Sequence, residues 1–537
     1  MNPNHTRALR RVTPVAAVTL TAVLTGSVVT AAGVRAAERV SSAGAAGAAS
    51  TAALDLVVPV KTQKVLRYKG EPVGLYGLGF YAVAPKTLEI RTERGASYAD
   101  PITTTLTVGD TTTTLPANIT ASPSTLTKFF SLGVKNSAGT SVFSGTMDFC
   151  MNSEEQNRVS ADAVPDSPYP RQCGSHPYAL GGLFGLPGGW ATPVFGNYDT
   201  TQSFTGKDGT YTVTATVAKP WRKALGISDA DAVSTIKLKV STVKEGSGVG
   251  MASSHDHGHS MTGIDASSKD LSPQHAAREA GRRAALGVPN VPAAQRPTGR
   301  TLRAAADVPK PDLRSLPAYQ IGLDRASRKN KTYLTFGATV WNAGPSPLVV
   351  DGFRQKGKSV LDAYQYFFDT DGKQVGHAPA GEMEWDPREG HNHWHFRAFA
   401  SYRLLDSTRK KAIISGKEAF CLAPTDSVDP NVEGAQWQPA STDLYTACGQ
   451  GNANLLSIRE VLNTGWGDTY GQYLPGQSFD ITKVKAGVYY IQTIANPDKK
   501  LTESNYKNNS ALRKVRIGGT PGGRRTIKVY PYQGVKG

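Results

Sequence analysis

The stretch Thr210-Tyr-Thr-Val-Thr-Ala-Thr-Val217 alternates polar and apolar residues and is rich in β-branched side chains. Because side chains of one parity share a face of an extended strand, this pattern predicts a strand with one buried face. Thr235-Ile-Lys-Leu-Lys-Val240 repeats it, and Val65–Tyr68 and Thr103–Val108 are shorter strands earlier in the chain. Helical periodicity is nearly absent from residues 54–243, so an antiparallel β-sandwich is the predicted fold of this half.

Strand patterns also dominate the second half, at Thr332–Trp341, Ala398–Leu405 and Gly487–Ala495, with turn residues between them. A chain of 537 residues is long enough for two or more domains. We therefore predict an all-β protein with two β-sandwich-like domains: an N-terminal domain of unknown role at 54–243, a flexible Gly/Ser/Ala/Pro-rich linker at 244–310, a second domain at 311–519 and a basic tail at 520–537.

The N-terminus has the pattern of a secretory signal peptide. Arg7, Arg10 and Arg11 precede an apolar run from about residue 15 to 34, and small residues close it near Ala36. Residues 1–36 are the predicted signal peptide, with an uncleaved membrane anchor as the alternative. No other stretch is long enough to span a bilayer. We expect a secreted, extracellular protein with no membrane attachment after cleavage.

The formal net charge is +17, from 60 basic and 43 acidic residues. Such a charge favours acidic partners. The basic residues are scattered along the sequence, and no zinc-finger, RRM or KH pattern is present. Nucleic acid is therefore not an expected partner.

The four cysteines form two local pairs, Cys150 with Cys173 and Cys421 with Cys448. In an exported chain each pair is expected to be a disulfide that closes a loop of about 25 residues, worth about 3 kcal/mol through the unfolded state. Metal thiolates are the alternative, but no C-x-x-C spacing supports them.

Three histidines stand at alternate positions in His391-Asn392-His393-Trp394-His395. In a strand all three imidazoles share one face, and neutral imidazole suits copper, zinc, iron and nickel. Because the outer Cα atoms of a straight strand would lie about 13 Å apart, binding by all three predicts a bulge or bend near Trp394. A packing or surface histidine cluster is the alternative.

The linker carries a second alternating set, His255, His257 and His259, followed by Met261. A flexible segment does not preorganise a catalytic metal site, although it can collect copper loosely. A solubilising low-complexity tract explains the set equally well.

Four segments of the second half resemble lysyl oxidases. Glu384-Trp385-Asp-Pro-Arg-Glu-Gly-His391-Asn-His393-Trp-His395 resembles their copper segment, and Gly416–Leu422 resembles the segment with the quinone lysine. Gly467–Gly471 resembles the segment with the quinone tyrosine, and Asp480–Asn509 resembles the C-terminal part. The resemblance extends over roughly residues 311–516 and does not include the first half.

The resemblance implies that Lys417 and Tyr470 form a lysine tyrosylquinone cofactor and that His391, His393 and His395 hold the copper that drives its formation. It implies a protein-lysine 6-oxidase-like amine oxidase, which converts lysine ε-amines or other primary amines to aldehydes with dioxygen and releases hydrogen peroxide and ammonia. The expected partners are thus a protein or small-molecule amine and dioxygen.

The expected catalytic base is Asp468, because it is two residues from Tyr470 and shares its face in an extended segment. Asp386 and Asp480 are rival bases, and an Asx turn is the structural alternative for Asp468.

The chain departs from the family pattern where animal members place a histidine after the tryptophan. This sequence has Asp386 there, so a fourth imidazole is in doubt; His377 is a substitute, although a loop histidine is the simpler interpretation.

Two other functional classes stay open. One is a non-catalytic copper-binding or adhesive β-sandwich protein in which Lys417 and Tyr470 never react. The other is a mononuclear-metal hydrolase or dioxygenase, which needs the histidines but neither of those two residues.

Overall fold

The computed structural model describes residues 52–195, 202–243, 296–297, 307–325, 330–354, 357–388, 392–410, 412–414, 419–439, 448, 451–474 and 476–535. Several predicted features lie outside these residues: the signal peptide, the linker histidines, His391 and Lys417.

Strands make up nearly all of the regular structure in the first half. They are β1 (Asp55–Val57), β2 (Thr62–Arg67), β3 (Val73–Gly74), β4 (Tyr81–Ala84), β5 (Leu88–Glu93), β6 (Thr103–Val108), β7 (Thr111–Thr114), β8 (Leu126–Asn136), β9 (Ser141–Phe149), β10 (Asn157–Arg158), β11 (Gly181–Leu186), β12 (Trp190–Pro193), β13 (Ser203–Phe204), β14 (Gly209–Val217) and β15 (Val233–Thr242), with helix α1 (Lys219–Leu225) between the last two.

The second half is built in the same way. Its strands are β16 (Leu313–Ser315), β17 (Tyr319–Asp324), β18 (Tyr333–Asn342), β19 (Leu348–Arg354), β20 (Leu361–Phe368), β21 (Gln374–Asp386), β22 (His393–Arg397), β23 (Ala400–Leu405), β24 (Ala412–Ile414), β25 (Ala419–Phe420), β26 (Asp426–Ser427), β27 (Ser457–Leu462), β28 (Trp466–Tyr470), β29 (Ser478–Asp480), β30 (Gly487–Ala495), β31 (Ser510–Gly519) and β32 (Arg525–Val529). The all-β prediction is confirmed.

The two most regular strand patterns become neighbours in the sheet ordered β2-β15-β14-β8-β9. Strands β14 and β15 pair antiparallel with Val213 opposite Ile236, and both side chains are buried. The alternation read from the sequence is therefore the alternation of core and solvent faces. The sheet departs from a purely antiparallel arrangement at its edge, where β2 pairs with β15 in parallel.

Three sheets surround one apolar core in the second half. Their strand orders are β16-β18-β28-β26, β25-β22-β21-β20-β19-β27 and β24-β23-β30-β31-β32, with β17 and β29 also paired to β18. The core draws on all three sheets, for example with Ala338, Met383 and Ile491. The histidine strand β22 and the tyrosine strand β28 thus belong to different sheets that face the same core.

The two halves touch through buried polar contacts. His176 of the first half places its Nε2 2.9 Å from Oγ1 of Thr339, and its ring packs edge-on against Tyr319. Asn431 of the second half donates to the carbonyl of Thr92 at 3.0 Å. A separation into two sandwich domains stays a prediction.

The segment predicted as a basic tail differs from that expectation. Strand β32 pairs antiparallel with β31, with Ile527 opposite Ile517, and Gln533 accepts a hydrogen bond from the backbone of Tyr98. The apolar residues of β32 give it a strand pattern despite its net basic composition. Within the described residues, no helix has the length and apolar character needed to cross a membrane.

Both expected disulfides are present. Cys150 is bonded to Cys173 and Cys421 to Cys448, with Cα–Cα distances of 5.9 and 5.8 Å.

Candidate active site

Two histidines of the triad lie on β22, which pairs antiparallel with β21. His393 stands opposite Asp386, and His395 stands opposite Glu384. Strand alternation puts both imidazoles on one face and the fully buried Trp394 on the other. His393 is 5% exposed and His395 is 1% exposed, so both rings are shielded from solvent.

The two rings converge at their Nε2 atoms, which lie 2.8 Å apart. Two nitrogen ligands about 2.0–2.1 Å from one ion, at a right angle, are about 2.9 Å apart. The spacing therefore fits a shared ion as well as a hydrogen bond between the rings. Among the described residues, no group of three or more histidine, cysteine or carboxylate side chains is placed to hold a metal.

The strand is regular at Trp394, which pairs in register with Trp385. The bend predicted near Trp394 is therefore not at that residue. The change of chain direction comes earlier, at Asn392, whose φ is 52°. Asparagine is one of the few residues that tolerate this left-handed conformation.

Asp386 is a buried carboxylate next to the histidine pair. Its Oδ2 lies 3.4 Å from Nδ1 of His395. Arg388 binds both carboxylate oxygens, through Nε at 2.8 Å and Nη2 at 2.5 Å. A carboxylate behind a metal-binding imidazole fixes the tautomer and the ring orientation. Asp386 is thus placed to orient His395, a role the sequence reasoning did not give it.

Two other candidates from the sequence lie away from this centre. His377 is in strand β21 opposite Tyr366, not in a loop, and nine residues of strand separate it from Asp386 by roughly 30 Å. Asp480 is partly exposed and forms an ion pair with Lys331 at 2.8 Å. Neither residue is placed as a fourth ligand or as a buried base.

Tyr470, at the end of β28, is 7% exposed. Its Oη accepts a hydrogen bond from the backbone N–H of Cys421 at 2.8 Å and donates to the carbonyl of the same residue at 3.2 Å. The ring packs edge-on against Phe420. Burial raises the pKa of the Tyr470 hydroxyl well above 10, and the nearby Asp468 and Glu460 carboxylates add to the shift. The phenol is therefore neutral in this environment.

The Cys421–Cys448 disulfide connects the tyrosine to the histidine strand. Cys421 is the backbone partner of Tyr470, and the carbonyl of Cys448 accepts a hydrogen bond from the backbone N–H of Trp394 at 2.9 Å. The disulfide therefore links the strand of Tyr470 to the strand of the histidines, with one backbone hydrogen bond at each end.

Two buried carboxyl groups flank Tyr470. Asp468 is on the same face of β28, as predicted, and its charge raises the pKa of Tyr470, Tyr402 and Glu460. Glu460, on β27, is fully buried; its Oε2 accepts the backbone N–H of Leu422 at 2.9 Å, and Phe396 also donates from its backbone. Burial above all raises the pKa of Glu460 well above 4.5.

Glu460 is the functional candidate that sequence reasoning missed. The available signal was the acidic residue within Ile458-Arg-Glu-Val-Leu462, a strand flanked by apolar residues. The structure buries both faces of this strand. Its neighbour Arg459 is explained by a buried bidentate ion pair with Asp351, at 2.7 Å for both contacts. Glu460 has no cationic partner of that kind among the described residues.

The raised pKa of Glu460 makes stability depend on pH. Its contribution is full below pH 4.5 and is lost as the pH rises through the folded-state pKa, because the folded protein holds this proton more tightly. Glu460→Gln keeps an acceptor for Leu422 and has no charge to bury, so we expect it to lose less stability than wild type as the pH rises. Urea unfolding at a series of pH values measures this. The exposed Glu433→Gln is the control, and an unchanged pH dependence in Glu460→Gln would contradict the assignment.

Comparison with known proteins identifies similarity in the second half. The family model described as lysyl oxidase matches residues 368–522. Human protein-lysine 6-oxidase is 29% identical over 150 residues, which are 28% of this chain and 32% of the human protein. The pig protein-lysine 6-oxidase is also 29% identical over 150 residues, with 53% of its length matched.

The zebrafish protein named lysyl oxidase homolog 2A is 28% identical over 164 residues, 29% of this chain and 20% of its own length. The match thus spans about a third to a half of the mammalian relatives, and less of the zebrafish one. It contains β22 and β28, which carry the paired histidines and the buried tyrosine.

Proposed function

Residues 368–522 form a lysyl oxidase family domain, and from this premise we propose that the protein is a secreted, copper-dependent amine oxidase. It converts peptidyl-lysine ε-amines or other primary amines to aldehydes, consumes dioxygen and water, and releases hydrogen peroxide and ammonia. The relatives named protein-lysine 6-oxidase support oxidation of amines as the reaction class.

The proposed copper ligands are His391, His393 and His395. The 2.8 Å separation of two imidazole nitrogens supports this assignment, since it is close to the spacing of two ligands on one ion. Asp386 supports it further, because its carboxylate sits behind Nδ1 of His395 and leaves Nε2 for the metal.

The single observation that carries the proposal is the pair of hydrogen bonds between the Tyr470 hydroxyl and the backbone of Cys421. Cys421 is four residues after Lys417 in the sequence. This contact brings the proposed quinone ring to the segment that follows its proposed lysine partner. Bound copper and dioxygen would supply the oxidation that turns the tyrosine ring into a quinone joined to Lys417. A carbonyl of that quinone would accept electrons from the amine.

Asp468 is the proposed base that removes a proton from the carbon next to the substrate nitrogen. When two neighbouring carboxyl groups have different environments, their pKa values differ, and one can act as an acid while the other acts as a base. Burial raises the pKa of Glu460 and favours its protonated form, which is unsuited to act as a base. Asp468 lies two residues from Tyr470 on the same face of β28. Two buried aromatic residues line the site: Phe420 packs edge-on against Tyr470, and Tyr402 packs edge-on against Phe420.

Peptide mapping of copper-loaded protein tests the function. We expect a peptide that joins Lys417 to Tyr470, together with reaction with phenylhydrazine and redox cycling. Lys417→Arg should remove all three while copper stays bound, and Lys410→Arg, at an exposed lysine nearby, should leave them unchanged. Bound copper with both residues unmodified would instead favour the non-catalytic copper-binding protein.

Asp386→Asn should weaken copper binding by about 10- to 100-fold, as is usual when the carboxylate behind a ligating histidine is removed. Competition with a chromophoric chelator measures the dissociation constant. Asp371→Asn, at an exposed turn, is the matched control. If both variants hold copper equally tightly, Asp386 does not orient a ligand.

A further inference from the structure

The outer face of β31 and β32 carries exposed cations in a regular arrangement. Along β31, Lys514 and Arg516 are exposed, whereas Val515 and Ile517 between and after them are fully buried. Lys528 on the edge strand β32 stands directly opposite Arg516. Opposite residues of an antiparallel pair share a face, so these three cations point outward together.

Two tyrosines extend this arrangement across the sheet. The ammonium groups of Lys514 and Lys528 lie 4.8 and 5.4 Å from the ring centroid of Tyr530. Tyr490 stands opposite Lys514, and the guanidinium of Arg409 lies 4.6 Å from its ring. The basic–aromatic face is defined by these residues: Arg409, Tyr490, Lys514, Arg516, Lys528 and Tyr530.

The four cations of this face form no ion pair with a carboxylate among the residues that the structure describes. Neighbouring strands are about 4.8 Å apart and alternate residues about 7 Å apart, so the positive groups lie within mutual repulsion distance. Like charges placed opposite each other are unfavourable in a sheet. A row of bound anionic groups would relieve this repulsion.

We propose that the basic–aromatic face binds a linear polyanionic polysaccharide bearing carboxylate or sulfate groups. The cations lie on the neighbouring strands β31 and β32, with Arg409 in the turn after β23, which is three strand spacings or about 14 Å from β32. Such a row suits a chain with repeated negative charges. Both tyrosine rings have a cation against them, which holds the cations in place and leaves less aromatic surface for the stacking of nucleic-acid bases.

This inference is independent of the proposed amine oxidase activity. It complements that activity, however, because a basic enzyme and cationic amines repel each other. An acidic polymer that binds both the enzyme and its amine substrate would bring them together. A polysaccharide on this face would retain the protein in such a matrix.

The test measures binding of the full chain to heparin and to alginate, with single-stranded DNA of similar length as a third probe. The triple variant Lys514→Glu, Arg516→Glu and Lys528→Glu should bind both polysaccharides about 100-fold more weakly, at about tenfold or less per charge. The control triple, Lys86→Glu, Lys207→Glu and Lys373→Glu, makes the same change in net charge at scattered exposed lysines and should bind within about threefold of wild type.

Circular dichroism and thermal melts establish that both triples are folded, which is expected because all six positions are exposed. An equal loss of binding in the two triples would overturn the proposal, because net charge alone would then explain binding. Failure of wild type to bind either polysaccharide, or tighter binding to single-stranded DNA that the face triple abolishes, would also overturn it.

Discussion

Tyr470→Phe will reduce copper-dependent amine oxidation to background, because phenylalanine lacks the oxygen from which a quinone forms. Copper binding should persist, since the histidine pair lies on a different strand. The buried N–H of Cys421 loses its acceptor, which should lower stability by about 1–3 kcal/mol. A peroxide-coupled amine assay, metal analysis and urea unfolding measure the three effects.

Tyr366→Phe is the matched control for this variant. Tyr366 is also buried, on β20, and its side chain belongs to a separate apolar cluster. We expect full activity from it. Activity that survives in Tyr470→Phe would point to a metal-centred hydrolase or dioxygenase that does not need the tyrosine.

Asp468→Asn should lower kcat by about 10²- to 10⁴-fold, the usual contribution of a positioned general base, with a smaller change in KM. The crosslinked peptide should still form, because the substitution leaves Tyr470 and Lys417 in place. Mixing the variant with amine in the absence of oxygen isolates the step, since only reduction of the cofactor is then observed.

Asp480→Asn serves as the control, because Asp480 lies outside the buried site in an ion pair with Lys331. It should react like wild type. If Asp468→Asn reduces its cofactor at the normal rate, the base is another group.

Much of the fold was predictable because strand burial leaves a period of two in the sequence. Thr103–Val108 and Gly487–Ala495 were predicted with the bounds that the structure has. The edge strand β32 was not predicted within the basic tail, because only two apolar residues, Ile527 and Val529, alternate there with polar and basic ones. The parallel pairing of β2 leaves no local signal at all, since it joins segments about 175 residues apart.

The candidate site divides in a similar way. His393 and His395 were proposed from their alternate spacing and Tyr470 from the resemblance to lysyl oxidases. The shared face of Asp468 and Tyr470 followed from strand geometry. Asp386 was recognised as a carboxylate, but its contact with His395 depends on the register between β21 and β22.

By itself, the sequence determined the all-β class and the two cysteine pairs, because alternation and spacing are local properties. The proposed site residues came from the spacing of the histidines and from the resemblance to lysyl oxidases. Only the tertiary structure decided that Glu460 lies beside Tyr470, that the Cys421 backbone holds the tyrosine hydroxyl, and that scattered lysines and arginines gather on one outer face. The first two features arise where segments distant along the chain meet, and burial there raises the pKa of Glu460 and Tyr470.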